Sequence, residues 1–409
     1  MKNRILLLNQ TFYPDHAATS QQLTDLAVEL VKTGYSVDAI ADIRSWDNRD
    51  VILSRYEIYR GVRIFRVGSS GFGKKTHFHR GLDYLTFNLS LIRAMFQLPR
   101  YDYIIGLTSP PWISFFGAVL GRYTNTPFIH WAMDVNPDEA VKLGWVTPGS
   151  LFHHFLEFTT KFTYQKSAII IALDGYMAQL IKDKSKSSGI SNQDDKVSVI
   201  PPWAHDDIKS IPHDANLFRK QNGLDGKFVI MYSGNFSVCH PLDTLLNAAQ
   251  SLKDNKDTVF MFIGGGVRLN EILKYKEDNN LKNITCLPYQ NREDIKYSLS
   301  AADLHIVSMG DMYVGIVHPS KIYGILQTGR PFILIGPQKS HIGDIIKKHN
   351  IGNQVDHGDV KKLTRVIRDV KSLSADKKNE IKIKCTNLAQ TRYSRQKLTK
   401  KFIDECIKK

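Results

Sequence analysis

Short, mainly apolar runs alternate with segments of helical periodicity along almost the whole chain. Runs of four or five such residues have the composition of buried parallel strands. They lie at Ile5–Leu8, Val37–Ile40, Arg63–Val67, Tyr103–Leu107, Phe128–Trp131, Ile169–Ala172, Lys196–Ile200, Phe228–Tyr232, Val259–Ile263, Ile284–Leu287, Leu304–Val307 and Phe332–Ile335. Between them, apolar residues recur at helical spacing, as in Ser20–Thr33, Pro241–Lys253, Val267–Asn279, Glu293–Ala301 and Ser320–Thr328.

This alternation of strands and helices predicts parallel sheets that carry helices on both faces. The polar, proline-containing stretch from Pro201 to Pro212 is the best boundary between two doubly wound domains of similar size. Ligands of such sheets bind at the carboxyl ends of the strands. A cleft between two facing domains is therefore the expected site.

The composition is that of a globular chain of enzyme size. The 409 residues are 42% hydrophobic and 23% charged. Four cysteines occur without a C-x-x-C pair, so neither a zinc site nor a disulfide framework is indicated. The amino terminus leads directly into the first strand without a secretory signal. These features predict a reduced, cytoplasmic protein.

A formal net charge of +15 predicts an anionic partner or surface. No nucleic-acid-binding motif is visible, so nucleic acid is not the expected partner. Between Arg44 and Arg100, basic and aromatic residues flank an apolar helical run from Leu82 to Phe96. This pattern fits an anionic membrane surface. The alternative is an ordinary helix packed on the core.

Two strand–glycine–helix turns follow predicted strands in the second half of the chain. Such turns place backbone N–H groups and a positive helix end where an anion binds. Packing alone also explains turns of this kind, but two in tandem favour a phosphate-bearing ligand. The candidate contacts are Ser233, Gly234, Asn235, His240, Gly264, Gly265 and Gly266.

The order of motifs matches a known family. The first strand leads to Tyr13-Pro-Asp-His-Ala-Ala-Thr19 and a helix that runs into Leu26-Ala-Val-Glu-Leu-Val-Lys-Thr-Gly-Tyr-Ser-Val37. The segment Met309–Pro331 contains Pro319-Ser-Lys321 and Gly329-Arg-Pro331. The chain thus resembles the retaining glycosyltransferases of family 4, in the branch that builds O-antigen, capsule and colanic acid and includes L-fucosaminyl transferases.

The resemblance implies an α/β fold of the GT-B type, in which two doubly wound Rossmann-like domains face each other across a cleft. Residues 1–204 would bind the acceptor and residues 205–392 the donor, with a last helix at about 393–409 packed back on the first domain. The implied enzyme moves a sugar from a nucleotide-diphospho donor, UDP by family analogy, to a saccharide or lipid-linked acceptor. It would work at the inner face of the cytoplasmic membrane in cell-surface polysaccharide biosynthesis.

Breaking the bond between a sugar and a nucleotide diphosphate leaves a dianion, which fixed positive charge stabilises. His240, if protonated, Lys321 and the helix end at Pro241 are the candidates for this task, and Asp134 is the candidate for orienting or deprotonating an acceptor hydroxyl. The resemblance adds donor-binding and acceptor-loop residues. They are Asp311, the amides of Gly315, Ile316, Val317 and His318, and Ser320 for the donor, and Ala17, Ala18 and Thr19 for the acceptor loop.

The chain departs from the family at charged positions. Val314 and Gly324 stand where two glutamates are usual, and Asn235 and His240 stand where an arginine and a lysine usually hold the diphosphate. Met133 replaces a histidine near the reacting centre. These departures keep a degenerate nucleotide-sugar-binding protein open as an alternative, beside a nucleotide-sugar epimerase of the same fold.

No metal or other cofactor is expected. The chain has no D-x-D triplet, and hard cations bound with nucleotide sugars need carboxylate ligands. His153-His154 is interpreted as a surface pair, because no carboxylate or cysteine is expected to complete a metal site there.

Overall fold

The computed structural model describes residues 3–46, 48–72, 77–187, 189, 195–204 and 206–408. The chain forms two compact units. The first comprises Met1–Pro201 with Leu398–Lys409, and the second comprises Pro202–Lys397. Each unit is an α/β domain with one central sheet.

The sheet of the first unit has the strand order β3-β4-β2-β1-β5-β6-β7-β8. All neighbours are parallel except β3 and β4, which are antiparallel. The strands are β1 Arg4–Leu8, β2 Ser36–Asp42, β3 Tyr56–Tyr59, β4 Val62–Val67, β5 Tyr103–Gly106, β6 Phe128–Trp131, β7 Ser167–Ala172 and β8 Val197–Val199.

Helices connect these strands, and an apolar core lies between the sheet and the inner faces of the helices. Leu6, Phe87, Leu91 and Phe128 belong to that core. The helices are α1 Ala18–Lys32, α2 His77–Met95, α3 Ile113–Thr124, α4 Asp138–Lys142, α5 Leu151–Lys166 and α6 Gly175–Ser187.

The sheet of the second unit is parallel throughout, in the order β11-β10-β9-β12-β13-β14. Its strands are β9 Phe228–Asn235, β10 Thr258–Gly265, β11 Ile284–Leu287, β12 Leu304–Ser308, β13 Phe332–Ile335 and β14 Asn353–Val355. Its helices are α7 Leu217–Gln221, α8 Asp243–Ser251, α9 Leu269–Asp278, α10 Ile295–Ser300, α11 Lys321–Thr328, α12 His341–His349, α13 Val360–Lys371 and α14 Ala375–Thr391.

The last helix, α15 Arg395–Cys406, packs on the first unit from Leu398 onward. Phe402 lies 5.1 Å from the Trp131 ring of β6, and the Lys401 ammonium donates to the Val199 carbonyl of β8 at 2.9 Å. Aromatic burial and a backbone hydrogen bond thus hold the carboxyl terminus to the first sheet.

Every strand predicted from an apolar run is present, and each unit is a doubly wound α/β domain of the kind expected from the sequence. Strands β3 and β14 are not predicted by the sequence pattern. Strand β3 is an edge strand whose residues are all exposed or half-buried, and β14 has the polar sequence Asn-Gln-Val. Neither is long and apolar enough to stand out against the loops around it.

Candidate functional site

Three strand ends meet at one edge of the second unit. Since β9, β10 and β12 are parallel, their carboxyl ends lie on the same side of the sheet. The register pairs Gly234 with Gly264 and Asn235 with Gly265. The predicted donor contacts follow these ends, so the structure brings them to one edge.

Lys321, the first residue of α11, reaches back over the end of β9. Its Nζ lies 3.5 Å from the centre of the Tyr232 ring. That atom is buried and has no hydrogen-bond partner in the described part of the chain. Burial lowers the pKa of Lys321 well below the ordinary 10.5. Lys321 is therefore a buried amine without a counter-ion. The Tyr232 ring beside it stabilises the charged form, but by less than burial destabilises that form.

His240 lies close enough to Lys321 for their charges to interact. Its Nδ1 is buried without a partner among the described residues. Burial, followed by the repulsion of Lys321, lowers the pKa of His240 to about 3. Burial thus keeps His240 neutral in the free protein, and its protonation beside a bound diphosphate stays a prediction.

The loop that carries His240 is tied to the end of β12. The Gly310 N–H donates to the Cys239 carbonyl at 2.9 Å, and the Ser308 hydroxyl donates to the Pro241 carbonyl. Helix α8 begins at Asp243, after Leu242, which makes no side-chain cap hydrogen bond. The helix end expected at Pro241 therefore lies two residues further along the chain.

The backbone amides expected to face the donor are only partly free. The N–H groups of Ile316 and Val317 both donate to the Tyr313 carbonyl, at 3.0 and 3.1 Å. These two amides are already used within the turn, so the prediction that they hold phosphate is wrong for this conformation. Gly315 has a φ of +76° in the same turn, which favours glycine there.

His318 belongs to a chain of hydrogen-bonded rings. Its Nε2 lies 2.8 Å from the Tyr323 hydroxyl, which lies 3.1 Å from Nε2 of His341. Tyr323 is buried. The neighbouring rings fix the orientation of His318, whereas the sequence suggested a free contact to the donor.

The glycines at the carboxyl end of β10 have a packing reason. A Cβ on Gly264, whose φ is +139°, would lie 2.1 Å from the Gly234 carbonyl oxygen. A Cβ on Gly266 would lie 2.7 Å from the Phe236 carbonyl oxygen. The close approach of the two strand ends thus explains both glycines without a ligand.

The remaining donor candidates lie around these strand ends. Asp311 is exposed at the start of a short 3-10 turn, and Ser320 precedes α11 without capping it. A Cβ on Gly324 would lie 3.2 Å from Leu299 Cδ1 and 3.6 Å from Ile208 Cδ1. Position 324 therefore faces apolar side chains, where a carboxylate would be poorly solvated.

In the first unit, the candidate acceptor loop lies at the start of α1. Ala17 precedes the helix without a side-chain cap, and Ala18 is its first residue. The Thr19 hydroxyl lies 3.3 Å from the Thr11 hydroxyl after β1. The loop thus lies at the carboxyl end of β1, and its role in acceptor binding stays a prediction.

A second set of strand ends in the first unit forms a small pocket around Asp134. Its walls include Trp112, Ser114, Phe115, His130 and Tyr164. Asp134 makes no hydrogen bond within the described part of the chain. Burial raises the pKa of this carboxyl to about 6. A carboxyl poised near neutrality in a pocket is a candidate general base.

Sequence reasoning assigned no role to His130, which shares this pocket. It is 5% exposed, and burial lowers its pKa to about 4. Its Nδ1 lies 2.8 Å from the Ser114 hydroxyl. The sequence does contain a hint, because His130 is a polar residue inside the otherwise apolar strand β6. A buried polar group needs a hydrogen-bond partner.

Glu157 completes a group that the sequence analysis considered incomplete. The ligand atoms of His153, His154 and Glu157 lie within 4.8 Å of one another on α5. The interpretation that no carboxylate accompanies this histidine pair is therefore wrong. His154 and Glu157 are exposed to solvent.

A larger cavity of about 440 Å³ in the second unit lies at the opposite edge of the sheet. Phe228 and Asp303, at the amino ends of β9 and β12, contribute to its wall. Lys371 pairs with Asp257 at 2.6 Å, and Arg219 pairs with Asp303 at 3.2 Å. Ligands of parallel sheets bind at the other edge, so this cavity carries no functional assignment.

Comparison with known proteins supports the same architecture. Residues 214–385 match the family "Glycosyl transferases group 1". The chain is 22% identical to a probable glycosyltransferase, WbjE of Pseudomonas aeruginosa, over 66% of each chain. It is 25% identical to the putative colanic acid biosynthesis glycosyl transferase WcaI of Escherichia coli over 41% of this chain and 42% of that one.

Among solved structures, Anabaena Alr3699/HepE in complex with UDP and glucose aligns with a TM-score of 0.70 and 15% identity, over 98% of both chains. WaaG, a glycosyltransferase involved in lipopolysaccharide biosynthesis, aligns with a TM-score of 0.72 and 14% identity, over 98% of this chain and 100% of that one. The chain therefore has the GT-B fold, and residues 214–385 are similar to the glycosyl transferases group 1 family.

Proposed function

We propose that this protein is a retaining glycosyltransferase of the hexosyltransferase type in family 4. It moves a sugar from a UDP-sugar to a saccharide or lipid-linked acceptor in the biosynthesis of a cell-surface polysaccharide such as O-antigen or capsule. One observation carries the proposal: the buried, partnerless Nζ of Lys321 at the strand ends of the second unit. A buried amine of this kind is stabilised when an anion binds beside it.

A diphosphate is the anion that fits this place. It would supply the counter-charge that Lys321 lacks and favour protonation of Lys321 and His240. The uncapped start of α8 adds a positive dipole end. As the bond from the sugar to the diphosphate breaks, these groups stabilise the developing charge on the leaving group.

The relatives support this choice of substrate. HepE was solved with UDP and glucose, and with UDP-glucose. WcaI carries a name that refers to colanic acid biosynthesis, and WaaG one that refers to lipopolysaccharide biosynthesis. HepE thus shares a UDP-sugar ligand with the proposal, whereas WcaI and WaaG share a named role in saccharide biosynthesis.

We propose further that transfer needs no metal. Lys321 and the start of α8 offer positive charge to the diphosphate, and Asp311 at the nearby turn offers one carboxylate. Hard cations need several oxygen ligands. Nucleotide binding and turnover are therefore expected to persist in excess EDTA.

A panel of nucleotides tests the donor site. UDP at about a hundred times its dissociation constant is expected to raise the free energy of unfolding by about 2.7 kcal/mol, with and without EDTA. Thermal unfolding with UDP, GDP, ADP and their sugar conjugates measures this. Failure of every nucleotide to stabilise the protein would overturn the proposal, and stabilisation that disappears in EDTA would overturn its metal-independent part.

Donor hydrolysis separates an enzyme from a degenerate binding protein. Slow release of UDP from a UDP-sugar without acceptor is expected, since water then replaces the acceptor. Binding without any turnover would indicate a protein that only holds the nucleotide sugar.

An anionic membrane surface is the proposed partner of the first unit. No helix in the described ranges is long and apolar enough to cross a membrane. Helices α2, α3 and α5 expose large apolar side chains on their outer faces. These are Leu85, Leu89, Val119, Tyr123, Leu151, Phe152, Phe155 and Phe158.

Charge on these helices supports an anionic partner. Arg93, Arg122, Lys161 and Lys166 are exposed, whereas Glu157 is the exposed acidic residue of these helices within the described ranges. The run from Leu82 to Phe96 is predicted as either a membrane face or a core helix. One of its faces is buried, as in a core helix, and the other is exposed and open to the proposed membrane contact. Residues 73–76 of the basic region lie outside the described residues.

Vesicle binding tests this surface. The protein is expected to sediment with vesicles containing phosphatidylglycerol, less so as salt rises and not with neutral vesicles. Replacing Phe155 and Phe158 together with serine removes apolar area worth roughly 1.5–3 kcal/mol per side chain, so binding should weaken at least about tenfold. Val267→Ser, at an exposed apolar residue of the second unit, is the control. Equal binding of all three proteins would refute the assignment.

A further inference from the structure

The hydrogen bonds of Ser114 decide which nitrogen of His130 carries its proton. The Ser114 hydroxyl donates to the Leu107 carbonyl at 2.6 Å. A hydroxyl has one proton, so the same oxygen is an acceptor toward His130 Nδ1 at 2.8 Å. Nδ1 of His130 therefore carries a hydrogen.

The other ring nitrogen is left as a bare acceptor. Burial keeps the His130 ring neutral, because it lowers the pKa to about 4. With the proton on Nδ1, Nε2 has a free lone pair. This atom has no hydrogen-bond partner within the described ranges, and the ring lines the pocket around Asp134.

The same pocket contains a donor without an acceptor. The indole Nε1 of Trp112 is buried and has no partner in the described part of the chain. Trp112 has a φ of +75°, a left-handed conformation that a bulky residue rarely adopts and that is typical of functional sites. Trp112, His130 and Asp134, which carry these unpaired polar atoms, all line the same small pocket.

This combination is complementary to hydroxyl groups. A sugar hydroxyl both donates and accepts, and aromatic walls such as Trp112 and Phe115 suit the apolar face of a sugar ring. No lysine or arginine of the described ranges lines the pocket, and Asp134 would repel an anion. The chemistry selects a neutral, polyhydroxylated ring.

We propose that this pocket binds a neutral sugar unit of the acceptor, and that His130 Nε2 accepts a hydrogen bond from one of its hydroxyls while Asp134 accepts one from another. Ser114 is then a positioning residue that holds the His130 tautomer. This inference rests on the proposed transferase function. It adds a recognition residue and the chemical class of the bound acceptor unit.

The tautomer is measured directly by nitrogen-15 NMR of histidine-labelled protein, with His130→Gln to assign the signals. A protonated Nδ1 and an unprotonated Nε2 are expected at neutral pH. Ser114→Ala should release this preference. Ser185→Ala, which removes another buried serine that donates to a backbone carbonyl, should not. A protonated Nε2 at His130 in the wild type would overturn the proposal.

Sugar binding tests the ligand class. Methyl glycosides and sugar phosphates at up to about 100 mM are compared by saturation-transfer NMR, since single sugar units bind with millimolar affinity or weaker. Neutral glycosides should bind and phosphates should not. Binding should fall roughly 5- to 150-fold in His130→Phe and less in Ser114→Ala, because a lost hydrogen bond to a buried group costs roughly 1–3 kcal/mol.

UDP binding separates this proposal from the one it rests on. His130→Phe and Ser114→Ala should bind UDP as the wild type does, which also shows that they are folded. His305→Gln, at a buried histidine of the second unit that pairs with a backbone carbonyl, should leave glycoside binding unchanged. Unaltered glycoside binding in His130→Phe, no glycoside binding by the wild type, or equal binding of phosphates would each overturn the pocket assignment. Absence of binding of every nucleotide in the panel by the wild type would overturn the transferase itself.

Discussion

Replacing Lys321 with methionine is expected to stabilise the folded protein and at the same time weaken UDP binding by roughly 10- to 150-fold. The second effect follows because hydrogen bonds to charged groups contribute about 1.5–3 kcal/mol. The first follows because the buried Nζ has no partner in the described part of the free protein. Methionine keeps the length of the side chain and removes the amine, so the contact with the Tyr232 ring is retained.

The pH dependence of that stabilisation has a defined sign. The unfolded chain keeps the Lys321 proton up to the ordinary pKa of 10.5, whereas the folded chain releases it at lower pH. Between the two values the folded state binds fewer protons, so the free energy of unfolding rises with pH. The penalty from Lys321 is therefore greatest below its folded pKa, and Lys321→Met should gain more stability at about pH 6 than at about pH 9.

Urea unfolding at the two pH values measures the stability difference, and titration calorimetry with UDP measures the affinity. Lys296→Met is the matched control, because that lysine also lies over a tyrosine ring, at 5.1 Å from Tyr297 in α10. It should change neither quantity appreciably. A Lys321→Met protein that binds UDP as tightly as the wild type would remove the main support for the donor site. One that is strongly destabilised would show that the amine has a structural role.

Lys321→Met is expected to raise the stability of the fold and to lower the affinity for UDP. Opposite effects of this kind are typical of a residue in a functional site. A chain selected for stability alone would not bury an amine without a counter-ion. At His130, Asp134 and Trp112 the structure likewise leaves polar groups without partners within its described ranges. The two clusters lie in different units, and each follows the carboxyl ends of parallel strands.

Sequence patterns predicted the sheets because buried parallel strands are continuous apolar runs. They also placed Lys321, His240 and Asp134 among the candidates, since these polar residues follow strands in segments that resemble the family. The protonation of His240 could not be predicted in this way. It depends on burial and on the distance to Lys321, and both arise from tertiary packing.

Backbone hydrogen bonds account for another difference between the expectations and the structure. The amides of Ile316 and Val317 looked available because the segment reads as a loop, yet the turn at Tyr313 uses both. His130 was missed for a related reason: one polar residue in β6 gives no hint of its tautomer. Only the contact between Ser114 and the Leu107 carbonyl reveals it.

Asp134→Asn is expected to reduce transfer to an acceptor by roughly 10²- to 10⁴-fold while leaving UDP affinity unchanged, because positioned general bases contribute about that much. The amide keeps the shape of the carboxyl but cannot take up a proton. A defect confined to the acceptor step would appear as a lower kcat with normal UDP binding. Transfer from radiolabelled UDP-sugar measures kcat, and calorimetry measures the UDP affinity.

The pH dependence of transfer by the wild type tests the role of Asp134 as a base. A change in the shape of the pocket would not produce this dependence. Burial raises the pKa of Asp134 to about 6, so the carboxylate form needed by a base is lost as the pH falls through about 6. Transfer by the wild type should therefore decline on the acid side with a midpoint near that value. The residual activity of Asp134→Asn should lack this decline on the acid side, the acid limb of the profile.

Asp138→Asn is the matched control for this experiment. Its carboxylate pairs with Lys184 at 2.6 Å, and it belongs to α4, just beyond the loop that carries Asp134. The control should keep both the rate and the acid limb of the wild type. If Asp134→Asn retained the limb, the titrating group would be another residue. If it retained full activity, the base would have to come from the substrate or from elsewhere in the chain, and Asp134 would be left with the orientation of a hydroxyl alone.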